Sequence, residues 1–399
     1  MPPPDALTTH FRNHVAWTSD DPIGWVVASA EGPFLDLADG RRIVDLISGI
    51  AVSSLGHRHP EVTAAIHAQV DRYLQVMVYG EFVQEPQVRF ARRLAEQLPP
   101  ALQTVYFTMT GTEANEGALK LAKKATGRTR LVAFDRSYHG DTHGALSVTG
   151  RKVYRDPFLP LLPKVTFLPY DDIDALGEID TTVACVIAEP IQGEGGIRVP
   201  AIAWMRALRD RCTEAGALLV LDEIQTGFGR TGTLFAFERF GIVPDVLTVA
   251  KAMGGGMPLG AFVASPALLD TLRRDPPLSH VTTFGGHPVS CAAAAAALDV
   301  LLTRNLPARA LALEARVRER LVHPLIREVR GWGAMLGMEL VDARTTARVV
   351  RRCLDRGVLL GWTLHADALV RIAPPLTIPF DVLDGALGLV IETLDEAGT

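Results

Sequence analysis

The stretch Val246-Leu247-Thr248-Val249-Ala250-Lys251, followed by Ala252-Met253-Gly254-Gly255-Gly256-Met257-Pro258-Leu259-Gly260, constrains the fold of this chain more than any other. The first five residues are apolar or β-branched and read as a buried strand that runs into a lysine and a glycine-rich turn. Nine residues separate Lys251 from the next strand-like run, Ala261-Phe262-Val263-Ala264. That is too short for a helical crossover, so this last strand is expected to turn back antiparallel. An amine with an apolar flank on one side and flexible backbone on the other is desolvated and held against a ligand, the setting of a Schiff-base lysine. A lysine snorkelling at a strand end satisfies the same local pattern, so the rest of the chain has to decide.

Lysine usage singles the residue out. Of the 40 basic residues only six are lysines: Lys120, Lys123 and Lys124 on one amphipathic helix, Lys152 and Lys164 in connections, and Lys251 at a strand end. The chain of 399 residues, with 48% hydrophobic and 21% charged residues, is long enough for a large α/β domain and a smaller partner. A net charge of −5 with scattered basic residues gives no nucleic-acid footprint. The start, Met1-Pro2-Pro3-Pro4-Asp5, lacks the pattern of a secretory signal, and the longest small-apolar run, Cys291 to Leu298, is too short to span a bilayer. The expectation is a cytoplasmic protein with no membrane or nucleic-acid partner. Cys185, Cys212, Cys291 and Cys353 fall in no paired spacing, and Gly56-His57-Arg58-His59-Pro60 reads as a loop before a helix, so no metal site is expected.

Residues 1 to about 30 read as irregular. Phe34 to Leu46 alternates as two strands around a turn at Asp39-Gly40, and helices follow from Pro60 and around Val88 to Leu98. From Val105 the pattern becomes α/β alternation. One strand meets Thr110-Gly111-Thr112-Glu113-Ala114-Asn115-Glu116, where Gly111 allows close approach, Thr112 reads as an N-cap, and the helix N-terminus is a ready phosphate cradle. Strands at Leu131 to Phe134, Val165 to Leu168 and Val183 to Ala188 follow, the last ending in Glu189-Pro190-Ile191-Gln192-Gly193-Glu194-Gly195-Gly196. Ala217 to Leu221 ends in Asp222, an acid that needs a cationic partner or solvent at that position. Beyond residue 301 the α/β alternation gives way to an arginine-rich helix to about Val322, a strand around Gly331 to Leu340, a helix from Thr345 and a strand near Leu369 to Ile372.

Asp222-Glu223-Ile224-Gln225-Thr226-Gly227-Phe228-Gly229-Arg230-Thr231-Gly232, followed 29 residues after Asp222 by Lys251 in its glycine-rich setting, closely resembles the signature of class III aminotransferases. These are pyridoxal-phosphate enzymes of fold type I. The match extends through Ser48-Gly49-Ile50-Ala51-Val52 to Gly56-His57, Gly111 to Glu116, Glu189 to Gly196, Thr283-Phe284-Gly285-Gly286 and Arg371-Ile372-Ala373-Pro374-Pro375. The resemblance implies an α/β fold with a mostly parallel central sheet and one antiparallel strand. A large cofactor-binding domain would span residues 56–300, and a smaller α+β domain would be built from residues 301–399 and the N-terminal segment 1–55.

It also implies roles. Lys251 would hold the cofactor aldehyde and then act as general base and acid; Asp222 would pair with the pyridinium nitrogen; Gln225 would hydrogen-bond the ring oxygen. Tyr138 and Ile224 would pack on the two ring faces, and Gly111 and Thr112 would receive the phosphate. Thr283 would reach the phosphate of a neighbouring subunit, which implies a homodimer with shared active sites. Arg371 resembles the arginine that clamps an α-carboxylate, Glu194 the acid that pairs with it when an ω-amino substrate enters, and Ile50 a pocket-lining residue of the acetylornithine branch. The reaction implied is transfer of a terminal amino group, acetylornithine or ornithine type, to 2-oxoglutarate with glutamate as product, by a ping-pong mechanism.

Two positions depart from that pattern. Asp141 stands where the ornithine, acetylornithine and 4-aminobutyrate branches usually carry an arginine for the substrate carboxylate, and His287 stands where the family usually has asparagine. The Tyr-His-Gly-Asp-Thr string also occurs in diaminopelargonate aminotransferases, although the paired tryptophans of that branch are missing here. Asp141 would sooner attract an amine than a carboxylate, which keeps diamines, lysine or another amine donor open. A racemase or aminomutase on the same fold shares the lysine, the aspartate and the phosphate loop.

Overall fold

The computed structural model describes residues 4–363 and 366–398. Its centre is a seven-stranded sheet in the spatial order Thr104–Thr108, Gly260–Ala264, Val246–Val249, Leu218–Asp222, Val183–Ala188, Arg130–Phe134, Val165–Leu168. The last five are parallel to one another. Gly260–Ala264 runs antiparallel to both of its neighbours, as the short connection after Lys251 requires. All six residues of Val183–Ala188 and all four of Val246–Val249 are buried, because helices cover both faces and leave no solvent side for alternation. Each fully buried valine, leucine or phenylalanine here contributes roughly 1.5–3 kcal/mol.

Helix Gly111–Thr126 starts directly after the first strand. Its N-cap is Thr110, not Thr112: the Thr110 hydroxyl accepts from Glu113 N, and the Glu113 carboxylate reaches back to Thr110 N. This reciprocal capping box is worth about 1 kcal/mol and moves Thr112 into the first turn, where its hydroxyl is available to a ligand. The alanine-rich helix Pro288–Thr303 buries nearly its whole surface against Pro60–Val70 and Glu85–Ala95. Its N-cap is His287, whose Nδ1 accepts from Val289 N at 3.3 Å, so an imidazole does here what an asparagine amide can do.

The smaller domain joins the chain's two ends. A sheet ordered Val27–Glu31, Phe34–Leu37, Arg42–Asp45, Val358–Leu359 includes a parallel pairing of Val44 with Val358. A second sheet is ordered Ile326–Trp332, Met335–Leu340, Ala366–Ile372, Gly361–Thr363. The single strand expected over Gly331 to Leu340 is therefore an antiparallel hairpin, and the following helix begins at Ala343 with Asp342 as its cap. The N-terminal stretch read as irregular contains helix Pro4–His14 and strand Val27–Glu31, neither of which carries a buried periodic face that a sequence pattern would reveal. The four cysteines are buried and unbridged. His57 pairs with Asp45 at 2.9 Å, and His59 sits at the N-cap position of helix Pro60–Val70. No single helix among the described residues is long and apolar enough to cross a membrane.

Candidate active site

The carboxyl ends of the parallel strands open into a cleft of about 540 Å³ whose walls include Gly111, Thr112, Tyr138, Asp141, Glu194, Asp222, Ile224, Gln225 and Lys251. This is the crevice that an open α/β sheet presents to ligands. Nine of the twelve residues singled out in the sequence thus share one cavity, and a tenth, Arg371, is ion-paired to Glu194.

Lys251 follows strand Val246–Val249 after one residue, Ala250, with φ of 49°, in the left-handed region that costs a non-glycine residue about 1 kcal/mol or more. The turn Lys251–Gly254 then bends the backbone away. Burial lowers the affinity of the amine for its proton, and the positive charge of Arg371 acts in the same direction, against Glu194, Asp222 and Glu189. The consequence is a larger fraction of neutral, nucleophilic amine than a solvated lysine has.

Asp222 is 5% exposed and hydrogen-bonded through both carboxylate oxygens, with acceptor capacity left on Oδ1. Its Oδ2 accepts from Asn115 Nδ2 at 2.8 Å and lies 2.7 Å from His139 Nδ1, and its Oδ1 accepts from Ile224 N at 3.1 Å. Three donors hold the carboxylate in one orientation. Glu189, an acid of the same wall, accepts from Tyr138 N and Gly193 N, and burial pushes its pKa up to about 7. It braces the backbone under Tyr138.

The helix geometry leaves the N–H groups of Gly111 and Thr112 without intrahelical acceptors. Thr112 Oγ1 lies 2.7 Å from Thr142 Oγ1 and accepts from Thr142 N at 3.2 Å, so Thr142 belongs to the same cradle. A Cβ on Gly111 would sit 2.7 Å from Ile224 Cδ1, and one on Gly193 would sit 2.1 Å from Gln225 Oε1. Glycine at both places lets Ile224 and Gln225 stand in the cleft. Tyr138 OH donates to Asp141 Oδ2 at 2.9 Å, and burial together with that carboxylate raises the phenol's pKa.

Two expected residues lie apart from the cleft. Ile50 is 46% exposed in a tight turn with positive φ, while its neighbour Val52 lines the cavity. Thr283 is exposed on the segment after helix Pro266–Asp270, and its carbonyl accepts from Gln75 Nε2. Asn115, His139 and Thr142 were not singled out from the sequence. Asn115 and His139 fall within or beside quoted motifs, yet their contact with Asp222 spans 107 and 83 residues, which no local pattern encodes.

Residues 16–394 match the family described as Aminotransferase class-III. The chain is a class III aminotransferase. It is 42% identical to an acetylornithine aminotransferase of Methanopyrus kandleri over 90% of this chain and 92% of that one. It is 43% identical to an acetylornithine aminotransferase of Mycobacterium bovis over 93% and 92%. Among solved structures, an ornithine aminotransferase from Toxoplasma gondii superposes with a TM-score of 0.92 at 30% identity, covering 100% of this chain and 96% of that one. An (S)-enantioselective omega-transaminase from Thermomicrobium roseum superposes with a TM-score of 0.90 at 30% identity, covering 98% of each.

Class III aminotransferases carry out amino-group transfer with pyridoxal phosphate, and the cleft fits that group. Gln225 Oε1 is buried without a hydrogen-bond partner among the described residues, a polar atom that a ligand in the cleft would satisfy. The helix N-terminus offers two backbone donors and the Thr112 and Thr142 hydroxyls to a phosphate. Asp222 is a carboxylate fixed for a charged donor, and Tyr138 and Ile224 wall the space between. When bound, the cofactor supplies the electron sink for the bond-breaking step. The chain's own contribution would be to fix the ring through Asp222, Gln225, Tyr138 and Ile224, and to carry a proton on Lys251 Nζ.

Proposed function

We propose that this aminotransferase moves a terminal amino group, of the acetylornithine or ornithine type, to 2-oxoglutarate by a ping-pong mechanism, yielding glutamate. The observation that carries this reading is the Arg371–Glu194 pair. Both side chains are buried, and both charges act on the Lys251 amine. An arginine neutralised by a movable acid accommodates an ω-amino donor that has no carboxylate next to its reacting carbon. The same arginine, once released, forms a bidentate clamp for the α-carboxylate of 2-oxoglutarate. The donor gives up its amino group and leaves as the oxo product before 2-oxoglutarate enters to receive that group, so one site serves both. The acetylornithine aminotransferases at 42% and 43% identity favour the same donor class.

The second reading, a donor with a cationic distal end such as lysine or a diamine, is favoured by Asp141. Its carboxylate lines the cleft and accepts from Tyr138 OH, and a negative charge there suits a cationic group better than a carboxylate.

The enzyme acts as a cytoplasmic homodimer with shared active sites. Gln75 Nε2 donates to both Met77 O and Thr283 O, which holds two segments together, and these segments expose Leu74, Val76, Val83, Val281 and Phe284. An apolar surface of this kind supports a partner subunit over Thr283. The test is a donor panel with 2-oxoglutarate: acetylornithine, ornithine, 4-aminobutyrate, lysine and putrescine, followed by glutamate formation. Acetylornithine or ornithine is expected to lead. Donor turnover without glutamate would overturn the acceptor, and a lead by putrescine or lysine would replace the first donor reading with the second.

A further inference from the structure

Arg230 is among the largest fully buried side chains of the protein, and among the described residues no carboxylate pairs with it. One terminal nitrogen donates to Pro374 O at 2.6 Å and Ala334 O at 3.2 Å, the other to Ser54 Oγ at 2.6 Å. Burial pulls its pKa down to about 10, with Asp45 opposing, so it stays cationic at neutral pH. A guanidinium hydrogen-bonded only to carbonyl and hydroxyl oxygens, with Asp45 acting at a distance, is costly to bury, and dipoles fixed by one cation are fixed in direction.

The segments it binds adjoin the cleft residue Val52 and the buried Arg371. Ser54 lies two residues after Val52, which lines the cleft, and Pro374 lies three residues after Arg371. Further bonds lace these walls: Ala373 N to Leu46 O at 2.6 Å, Ser48 Oγ to Ala373 O at 2.8 Å, and Leu376 N to Ser54 O at 2.7 Å. Ala334 N donates in turn to Arg230 O at 2.8 Å, which ties in the hairpin that pairs with the Arg371 strand. Arg230 itself lies within the loop that runs from the end of strand Leu218–Asp222 to helix Phe237–Phe240. One side chain thus bonds the loop after Asp222 to the Ser54 segment, to the Ala334 turn and to the residues that follow the Arg371 strand.

We propose that Arg230 is a positioning residue for α-carboxylate recognition: it holds Arg371 in register with the cleft and thereby governs selectivity for α-oxo acids. The inference rests on the proposed role of Arg371 as carboxylate clamp. 2-Oxoglutarate and succinic semialdehyde differ only by the α-carboxylate, so the ratio of their kcat/KM values as acceptors reads that clamp directly.

The experiment compares wild-type holoenzyme with Arg230→Gln and with Ser54→Ala, a milder change that removes one partner and keeps the fold if the first variant does not. The ratio is expected to fall by about tenfold or more in Arg230→Gln, through KM for 2-oxoglutarate, and by less in Ser54→Ala, with bound cofactor retained. A lowered Tm with an unchanged ratio in a folded variant would overturn the inference and leave Arg230 a structural residue. Wild-type enzyme that consumes neither compound would refute the acceptor assignment instead. The ratio is then read from pyruvate against acetaldehyde, which differ by the same group.

Discussion

Asp222 and His139 meet in the buried floor of the cleft, with Asp222 Oδ2 2.7 Å from His139 Nδ1, and Asn115 adds a second bond to the same oxygen. The imidazole therefore orients the acid that would face the pyridinium nitrogen, and its other nitrogen, Nε2, has no partner among the described residues. Asp222→Asn keeps the shape and removes the charge. It should lower kcat by about 100-fold or more, and His139→Phe by a smaller factor, with both read in single-turnover kinetics. Wild-type rates in Asp222→Asn would remove the residue from the mechanism.

Asp141 should decide what lies at the far end of the donor. Asp141→Arg is expected to shift selectivity between 4-aminobutyrate and putrescine by roughly ten- to a hundredfold toward the carboxylate-bearing donor, the worth of one charged hydrogen bond. Tyr138→Phe, which removes the hydroxyl that holds Asp141, should blur the preference without reversing it. An unchanged donor profile in Asp141→Arg would mean that position 141 does not meet substrate.

Gly111→Ala should weaken cofactor binding and lower stability by about 1–3 kcal/mol, because the new methyl meets Ile224 Cδ1 at 2.7 Å. Ile224→Val removes that nearest atom, so the double variant should regain part of the loss. A double variant no better than Gly111→Ala would show that the damage lies in the helix turn and not in the Ile224 contact.

These expectations separate what is local in the sequence from what is not. Strand ends, glycine turns and the acid at Asp222 are short-range features, and the antiparallel strand after Lys251 follows from nine intervening residues. The cleft at the carboxyl edge was legible for that reason. Thr110 instead of Thr112 as N-cap turns on a shift of phase in a run where both are threonine. The Arg230 bonds reach 104, 144 and 176 residues away, and no spacing rule anticipates them. Ile50, expected in the pocket from the family resemblance alone, sits in a left-handed turn and is 46% exposed, a backbone conformation that no local pattern around it encodes.

His280 predicts an acid-side effect. Its ring packs beside Tyr106 and Phe262, and Lys120 Nζ lies 3.0 Å from Nδ1. Burial first, and then Lys120, pulls its pKa down to about 4. A histidine depressed on folding contributes stability that is complete above its unfolded value of about 6.5 and is lost as pH falls through the folded value. His280→Asn should therefore lose less Tm than wild type between about pH 7 and about pH 5. Equal losses would mean that the ring is not held neutral in the fold.

The central claim, that Lys251 is the residue to which the cofactor is attached, is tested most directly by borohydride reduction of the holoenzyme followed by peptide mass spectrometry. With only six lysines in the chain, the assignment is unambiguous. The account predicts one pyridoxyl-phosphate adduct per chain, on the peptide containing Lys251, and none in Lys251→Ala. An adduct on Lys120, Lys123, Lys124, Lys152 or Lys164, or turnover retained in Lys251→Ala, would contradict it.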